Sequence, residues 1–117
     1  MAFKFENLQV WQKSLELTIE VNALATSFPK FELFSLSSQI RRAADSVVLN
    51  IAEGCTGLSN IELKKFLRYS LRSGLEVVSC LFIAKRKGYI DEKTFTKFYE
   101  EYEILCKMLN KFILNVE

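Results

Sequence analysis

The sequence predicts an all-α protein: an up-down-up-down antiparallel bundle of four helices, forming one domain over residues 1–117. Three observations predict it. Apolar residues recur at alternating spacings of three and four along four separate stretches, the period of helices that each bury one face. Short joints carrying helix stop and start residues separate those stretches, and short joints force neighbours antiparallel. Four Gly and one Pro leave little turn material for an all-β fold, and no strand-like alternation competes.

The first helix is expected over about residues 8–27, capped by Asn7 and stopped by Phe28-Pro29. Val10, Ser14, Leu17, Val21, Leu24 and Phe28 form its inner line, with Leu8, Trp11, Leu15 and Ile19 beside it. The second, over 36–54, begins near Ser35 and ends at Gly54, read as a left-handed stop. Its stripe is Leu36, Ile40, Ala43, Val47 and Ile51, flanked by Ala44 and Val48. Ser59-Asn-Ile-Glu62 reads as a capping box opening the third helix, over 60–87, which Gly88 ends. Leu63, Leu67, Ser70, Gly74, Val77, Leu81 and Ala84 make one line there, and Leu71, Leu75, Val78 and Phe82 a second. Asp91 caps the fourth helix, over 92–115, whose line runs from Phe95 through Phe98, Tyr102, Leu105, Leu109 and Phe112 to Val116. All four patterns keep a period of about 3.5 residues, which suits nearly parallel packing at about 20°.

The doubled apolar lines on the first and third helices leave two explanations open. A second line is buried against another subunit, or each helix simply offers a wide core face.

Composition removes several kinds of chemistry. At 50% apolar and 13% aromatic, the chain has ample material for a core. It contains no histidine, so Ser/His and Cys/His nucleophile pairs and Glu-x-x-His metal ligands are absent. Cys55, Cys80 and Cys106 are scattered and form no Cys-x-x-Cys pair, so they read as free thiols acting as small hydrophobes in a reducing compartment. Gly54-Cys-Thr-Gly57 lacks the Lys-Ser/Thr of a phosphate-binding loop. Glu53 and Asp45 face one side of a helix but stand about 12 Å apart by rise, too far to act on one bond. The expectation is therefore no enzyme, no cofactor and no metal. No apolar stretch approaches the eighteen or so residues of a membrane span, and the N-terminal Met-Ala-Phe-Lys-Phe-Glu lacks a signal peptide's apolar run. A cytoplasmic protein without membrane attachment is expected.

Net charge is only +2, but it is unevenly placed. Residues 61–90 carry seven Lys/Arg against two acids, Glu62 and Glu76. At about 100° per residue, Lys64, Lys65, Arg68, Arg72 and Arg86 fall within an arc of about 100° opposite the apolar lines. Such a stripe is the electrostatic footprint of phosphate contact, with Tyr69 at its margin placed to stack on a base. The competing explanation is a solvated face paired with acids of the fourth helix, such as Glu100, Glu101 and Glu103.

On the second helix, Arg42, Ser46 and Glu53 share the polar side, with Asp45 nearby. Arg42 and Glu53 stand about 16 Å apart by rise, so they need partners elsewhere. Arg41 and Asp45 are spaced to pair at i,i+4. Asn50 sits at the edge of the apolar arc, where a polar group sets register or, with Glu53, makes a binding contact.

Taken in order, Phe5-Glu-Asn-Leu-Gln-Val-Trp-Gln12, Phe28-Pro29, Glu32, Gln39-Ile-Arg-Arg-Ala43, Ser46 and Asn50-Ile-Ala-Glu-Gly54 form a recognisable pattern. It continues through Ser59, Glu62, Phe66-Leu67, Ser73, Glu76 and Gly88-Tyr-Ile90. The pattern resembles the four-helix-bundle proteins encoded in intervening sequences of bacterial 23S ribosomal RNA genes, and the accessory protein of diversity-generating retroelements is a similar bundle. The resemblance implies a ring-like homopentamer and a role in binding nucleic acid, with no enzymatic activity or cofactor. Arg42, Ser46, Asn50, Glu53 and Gly54 carry its structural signature. Relatives often have an arginine where this chain has Gly57, and a glycine where it has Arg72. One basic group is thus lost from the loop and another gained on the third helix. The function expected is nucleic-acid binding by an oligomer through Lys64, Lys65, Arg68, Arg72 and Arg86. The alternative is a protein-interaction scaffold that recruits a nucleic-acid-processing partner.

Overall fold

The computed structural model describes every residue except Met1 and Leu58. Four helices are present: α1 (Gln9–Ala25), α2 (Leu36–Gly54), α3 (Asn60–Arg86) and α4 (Glu92–Asn115). Two short 3-10 turns, Lys4–Asn7 and Lys30–Glu32, precede α1 and α2, and no strand occurs among the described residues. Each helix packs on its neighbour in sequence, and α1 meets α4 to close the bundle.

Cross-helix contacts fix the direction of each pair. Along α2 from Ser46 to Gly54, the partners on α3 run backwards, from Ser73 through Ser70 to Phe66 and Leu63. On α3 and α4, Gly74 faces Cys106 while Phe82 meets Phe95 edge-on and Lys85 reaches Glu92. On α1 and α4, Lys13 pairs with Glu101 and Glu20 with Lys97. All three pairs are antiparallel, so α1 and α2 must be as well. The result is an up-down-up-down bundle measuring 43 × 23 × 22 Å, its long axis about the length of the 27-residue α3.

The expected inner lines make most of the core, although Leu24, Leu63, Phe112 and Val116 are only partly buried and Ile113 takes the enclosed position expected of Phe112. Val21, Ile40, Val47, Ile51, Leu67, Val77, Leu81, Leu105 and Leu109 are completely enclosed. Small side chains permit close approach where α2 meets α3. Gly54 is the tightest case: a Cβ there would lie 3.1 Å from Phe66 Cβ and 3.2 Å from Leu63 Cδ1. Gly54 is therefore not the left-handed stop expected of it. It lies within the last turn of α2, and the positive φ values belong to Gly57 (81°) and Gly88 (80°).

Two other local expectations are corrected. Asn7 does not cap α1: residues 4–7 wind into a 3-10 turn, Phe5 stacks on Trp11 at 4.9 Å, and Leu8 takes the cap position with extended backbone. The helix also stops at Ala25 rather than Ser27. There the amides of Thr26, Ser27 and Phe28 bond three residues back instead of four, and the hydroxyls of Thr26 and Ser27 donate to Ala23 and Leu24 carbonyls. Asp91 caps α4 as expected, its Oδ1 accepting from the Thr94 amide (2.8 Å). Of the box expected at α3 only the serine half forms: Ser59 Oγ accepts from the Glu62 amide (3.1 Å), while the Glu62 carboxylate turns to Lys65 (3.1 Å).

One end of the bundle is tied by a group that periodicity does not single out. Glu32, only 4% exposed, sits in the α1–α2 connection and reaches across to the α3–α4 joint. Its Oε2 accepts from Lys87 Nζ (2.9 Å) and the Tyr89 hydroxyl (2.7 Å), and its Oε1 from Ser35 Oγ (2.7 Å) and the Leu36 amide (3.3 Å). Tyr89 also packs against Phe28 and Phe31. Two loops are held together by one carboxylate. These hydrogen bonds, Lys87 first, hold its acidity at about 2 instead of 4.5.

Candidate nucleic-acid interface

The basic stripe lies on the outer side of α3. Lys65, Arg68, Arg72 and Arg86 are exposed and Lys64 is half-buried. The acids of α4 do not neutralise it. Glu101 is taken by Lys13 of α1 at 2.6 Å, and neither Glu100 nor Glu103 enters an ion pair among the described residues. Among the described residues only Lys65 of the five is paired, with Glu62 one turn away at 3.1 Å, and this contact raises its pKa.

A wider regularity emerges across the molecule. Five ion pairs form among the described residues, and lysine supplies the cation in every one. None of the five arginines, Arg41, Arg42, Arg68, Arg72 and Arg86, enters an ion pair among the described residues. Arginine is the side chain whose planar fork best matches a phosphate. Tyr69, 39% exposed, lies at the stripe's edge with its ring edge-on to Phe66 at 5.7 Å.

The polar side of α2 divides into a packed part and a free part. Asn50 Nδ2 donates to both the carbonyl and the hydroxyl of Ser46 (2.9 Å each), and Ser46 Oγ accepts from Ser73 Oγ of α3 (2.9 Å). Below them Ser70 Oγ donates to the Val47 carbonyl at 2.6 Å. These short polar groups satisfy one another in a seam where two helices nearly touch. Asn50 and Glu53 do not meet in a joint contact: Asn50 is engaged in the seam, and Glu53 is exposed and outside any ion pair among the described residues. Arg42 is likewise exposed.

The expected Arg41–Asp45 pair is absent. Asp45 Oδ1 instead accepts from Thr18 Oγ1 (2.6 Å) and Asn22 Nδ2 (3.2 Å) of α1. A tertiary contact to short side chains displaces the i,i+4 pair, which would contribute only a few tenths of a kcal/mol on an exposed surface.

The thiols offer no reactive group. Cys80 is buried, which pushes its pKa up to about 11, and burial raises Cys55 and Cys106 too. No group of three or more His, Cys, Asp or Glu among the described residues is placed to hold a metal ion. No described helix is long and apolar enough to cross a membrane.

Of the second apolar lines, Leu8, Trp11, Leu71 and Val78 pack on the core's margin. Leu15, Ile19, Leu75 and Phe82 remain between 38% and 64% exposed. Each doubled line thus contributes both a wide core face and an uncovered edge.

Comparison with curated proteins finds no match. Among solved structures, the chain is similar to a protein of unknown function of the S23 ribosomal protein family from Bacteroides thetaiotaomicron VPI-5482. The TM-score is 0.84 at 24% sequence identity, over 91% of this chain and 96% of that one, a likeness that speaks to the fold. The family model for the 23S rRNA-intervening sequence protein matches residues 6–111, nearly the full length of the bundle. The chain belongs to the 23S rRNA-intervening sequence protein family.

Proposed function

We propose that this protein is a non-enzymatic, self-associating bundle that binds nucleic acid through the outer face of α3. The observation that carries this is the disposition of its cations: lysines hold the fold's ion pairs, whereas all five arginines stay outside them. Among the described residues no acid of α4 pairs with Lys64, Arg68, Arg72 or Arg86, so an anionic partner would meet a stripe of net positive charge. Repetition of that stripe in an oligomer multiplies weak contacts through effective concentration. The family's association with ribosomal RNA genes makes RNA the first ligand to try.

The test is a gel-shift titration with the variant in which Lys64, Lys65, Arg68 and Arg72 are all changed to Glu. Binding should be lost. The wild-type affinity for duplex should fall with salt at a log–log slope of about −0.9 per phosphate neutralised. Unchanged binding by a variant of wild-type oligomeric mass would refute the assignment.

Self-association rests on the uncovered edges of α1 and α3. Those edges lie on opposite sides of the bundle, so they favour a heterologous contact between copies. Ile19→Glu and Leu75→Glu, at positions 64% and 57% exposed, should each leave the helical circular dichroism signal intact while reducing the mass seen by light scattering. Retention of the wild-type mass in both variants would place the subunit contact elsewhere.

A further inference from the structure

We propose that the seam between α2 and α3, entered at Phe34, is a track for single-stranded nucleic acid. Bases would stack on Phe34 and Tyr69, and Arg42 and Arg72 would take the phosphates between them. The inference rests on the nucleic-acid reading above and adds to it a class of ligand and two residues outside the stripe, Phe34 and Arg42.

Phe34 is 93% exposed, more than any other large apolar residue among those described. It does not owe this to a frayed segment. Its neighbours Glu32, Ser35 and Leu36 are bonded into the clasp with Lys87 and Tyr89, so the backbone on both sides is fixed. An exposed aromatic ring on a fixed backbone is a stacking platform with little main chain left to order on binding.

Two depressions of about 360 Å³ flank it, and Phe34, Ser38 and Arg42 wall both. The first adds Gln39 and Glu76, the second Arg41 and Asp45. From there the seam continues along α3. Arg42 lies one turn before Ser46, which bonds Ser73, and Arg72 lies one turn before Glu76, which accepts from Gln39 at 3.3 Å. By helical spacing Arg42 and Arg72 thus lie at the borders of the same seam, with Tyr69 one turn beyond Arg72.

The chemistry favours a single strand. A duplex keeps its bases stacked and would offer these rings nothing, whereas unpaired bases expose their faces to aromatic side chains. Charge here is modest, because Asp45 and Glu76 offset part of Arg41, Arg42 and Arg72, so stacking must supply much of the affinity. A second copy of the chain fits less well. It would have to desolvate Arg41 and Arg42, which Asp45 and Glu76 offset only in part and which enter no ion pair among the described residues.

The experiment is fluorescence anisotropy with labelled oligo(U) and, separately, a labelled RNA duplex. Phe34→Ala should weaken oligo(U) binding by about 5- to 150-fold at an unchanged salt slope, and leave duplex binding as it was. Phe34→Trp should restore it. Arg42→Ala should reduce the single-strand slope by about 0.7. Leu114→Ala, exposed on α4, is the neutral control. Unchanged oligo(U) affinity in Phe34→Ala would overturn the proposal, as would an equal loss on duplex. A fall in oligomeric mass in Phe34→Ala would also overturn it, by making Phe34 a subunit contact. If oligo(U) binding survives Phe34→Ala but is lost on reversing the α3 charges, the track fails and the wider nucleic-acid reading stands. If the wild type binds neither probe, both fail.

Discussion

Replacing Leu81 by alanine is expected to remove about 2–5 kcal/mol of folding stability. Leu81 lies on the inner line of α3, toward the helix's C-terminal end, and has no exposed surface. Truncation there loses the transfer free energy of the buried methyl and methylene groups. It also leaves a cavity that close-packed helices collapse into only partly. A domain of this size has a total stability of about 5–15 kcal/mol, so the change takes a large share of it. Leu114→Ala, at a site 83% exposed on α4, should fall within about 0.5 kcal/mol of the wild type. Urea unfolding at fixed protein concentration separates the two. The concentration must be held constant because self-association of the kind proposed would add to apparent stability by mass action. A Leu81→Ala midpoint close to that of Leu114→Ala would mean that the core is not organised around this line.

The contrast between Leu81 and Leu75 shows how far the sequence could be read. Both fall on regular apolar lines of α3, and periodicity marks both as candidates for burial. The helices and their partners followed directly, because an inner line repeated at 3.5 residues leaves few ways to enclose itself. Within one chain Leu75 stays 57% exposed, because the other three helices cover only one side of α3. Periodicity reports that a face is apolar, and it does not report what covers it. The charged stripe was legible for the same reason that the core was, since Lys64, Arg68, Arg72 and Arg86 recur on a helical arc. That its arginines would remain unpaired was not, because the fate of Glu101 depends on Lys13, 88 residues away.

Loop residues fell outside this logic altogether. Phe34 and Glu32 lie in a connection between helices, and nothing local marks Phe34, rather than Phe28 or Phe31, as the ring that stands furthest into water. Gly54 was assigned the commonest use of a glycine at a helix end. Its actual use, admitting Leu63 and Phe66, requires knowing where α3 passes. Arg41 and Asp45 erred in the same direction: a local spacing rule was overridden by Thr18 and Asn22 from another helix.

Glu32 supplies the second large effect, and its pH dependence is specific. Folding lowers the carboxyl from 4.5 to about 2, chiefly through the hydrogen bonds from Lys87, Ser35 and Tyr89. A depressed acid stabilises the folded state wherever it is ionised in both states, so its contribution is complete above about pH 4.5. It fades as the pH falls toward about 2. The partners set the alkaline side. Lys87 is raised above 10.5, first by its bond to Glu32, and Tyr89 above 10.0, first by burial and then by Glu32. Raised values favour the protonated forms, so their contributions are whole below about pH 10 and are lost above it. Glu32→Gln keeps the size of the side chain but removes the charge, leaving Lys87 without its ion-pair partner and the two loops less firmly joined. Its melting temperature should lie well below that of the wild type at pH 7. The gap should narrow between pH 4.5 and 2, where the wild-type carboxyl takes up its proton. It should narrow again above pH 10. A constant gap across the acid range would show that the variant suffers from altered packing alone. No gap at pH 7 would mean that the clasp does not contribute to stability.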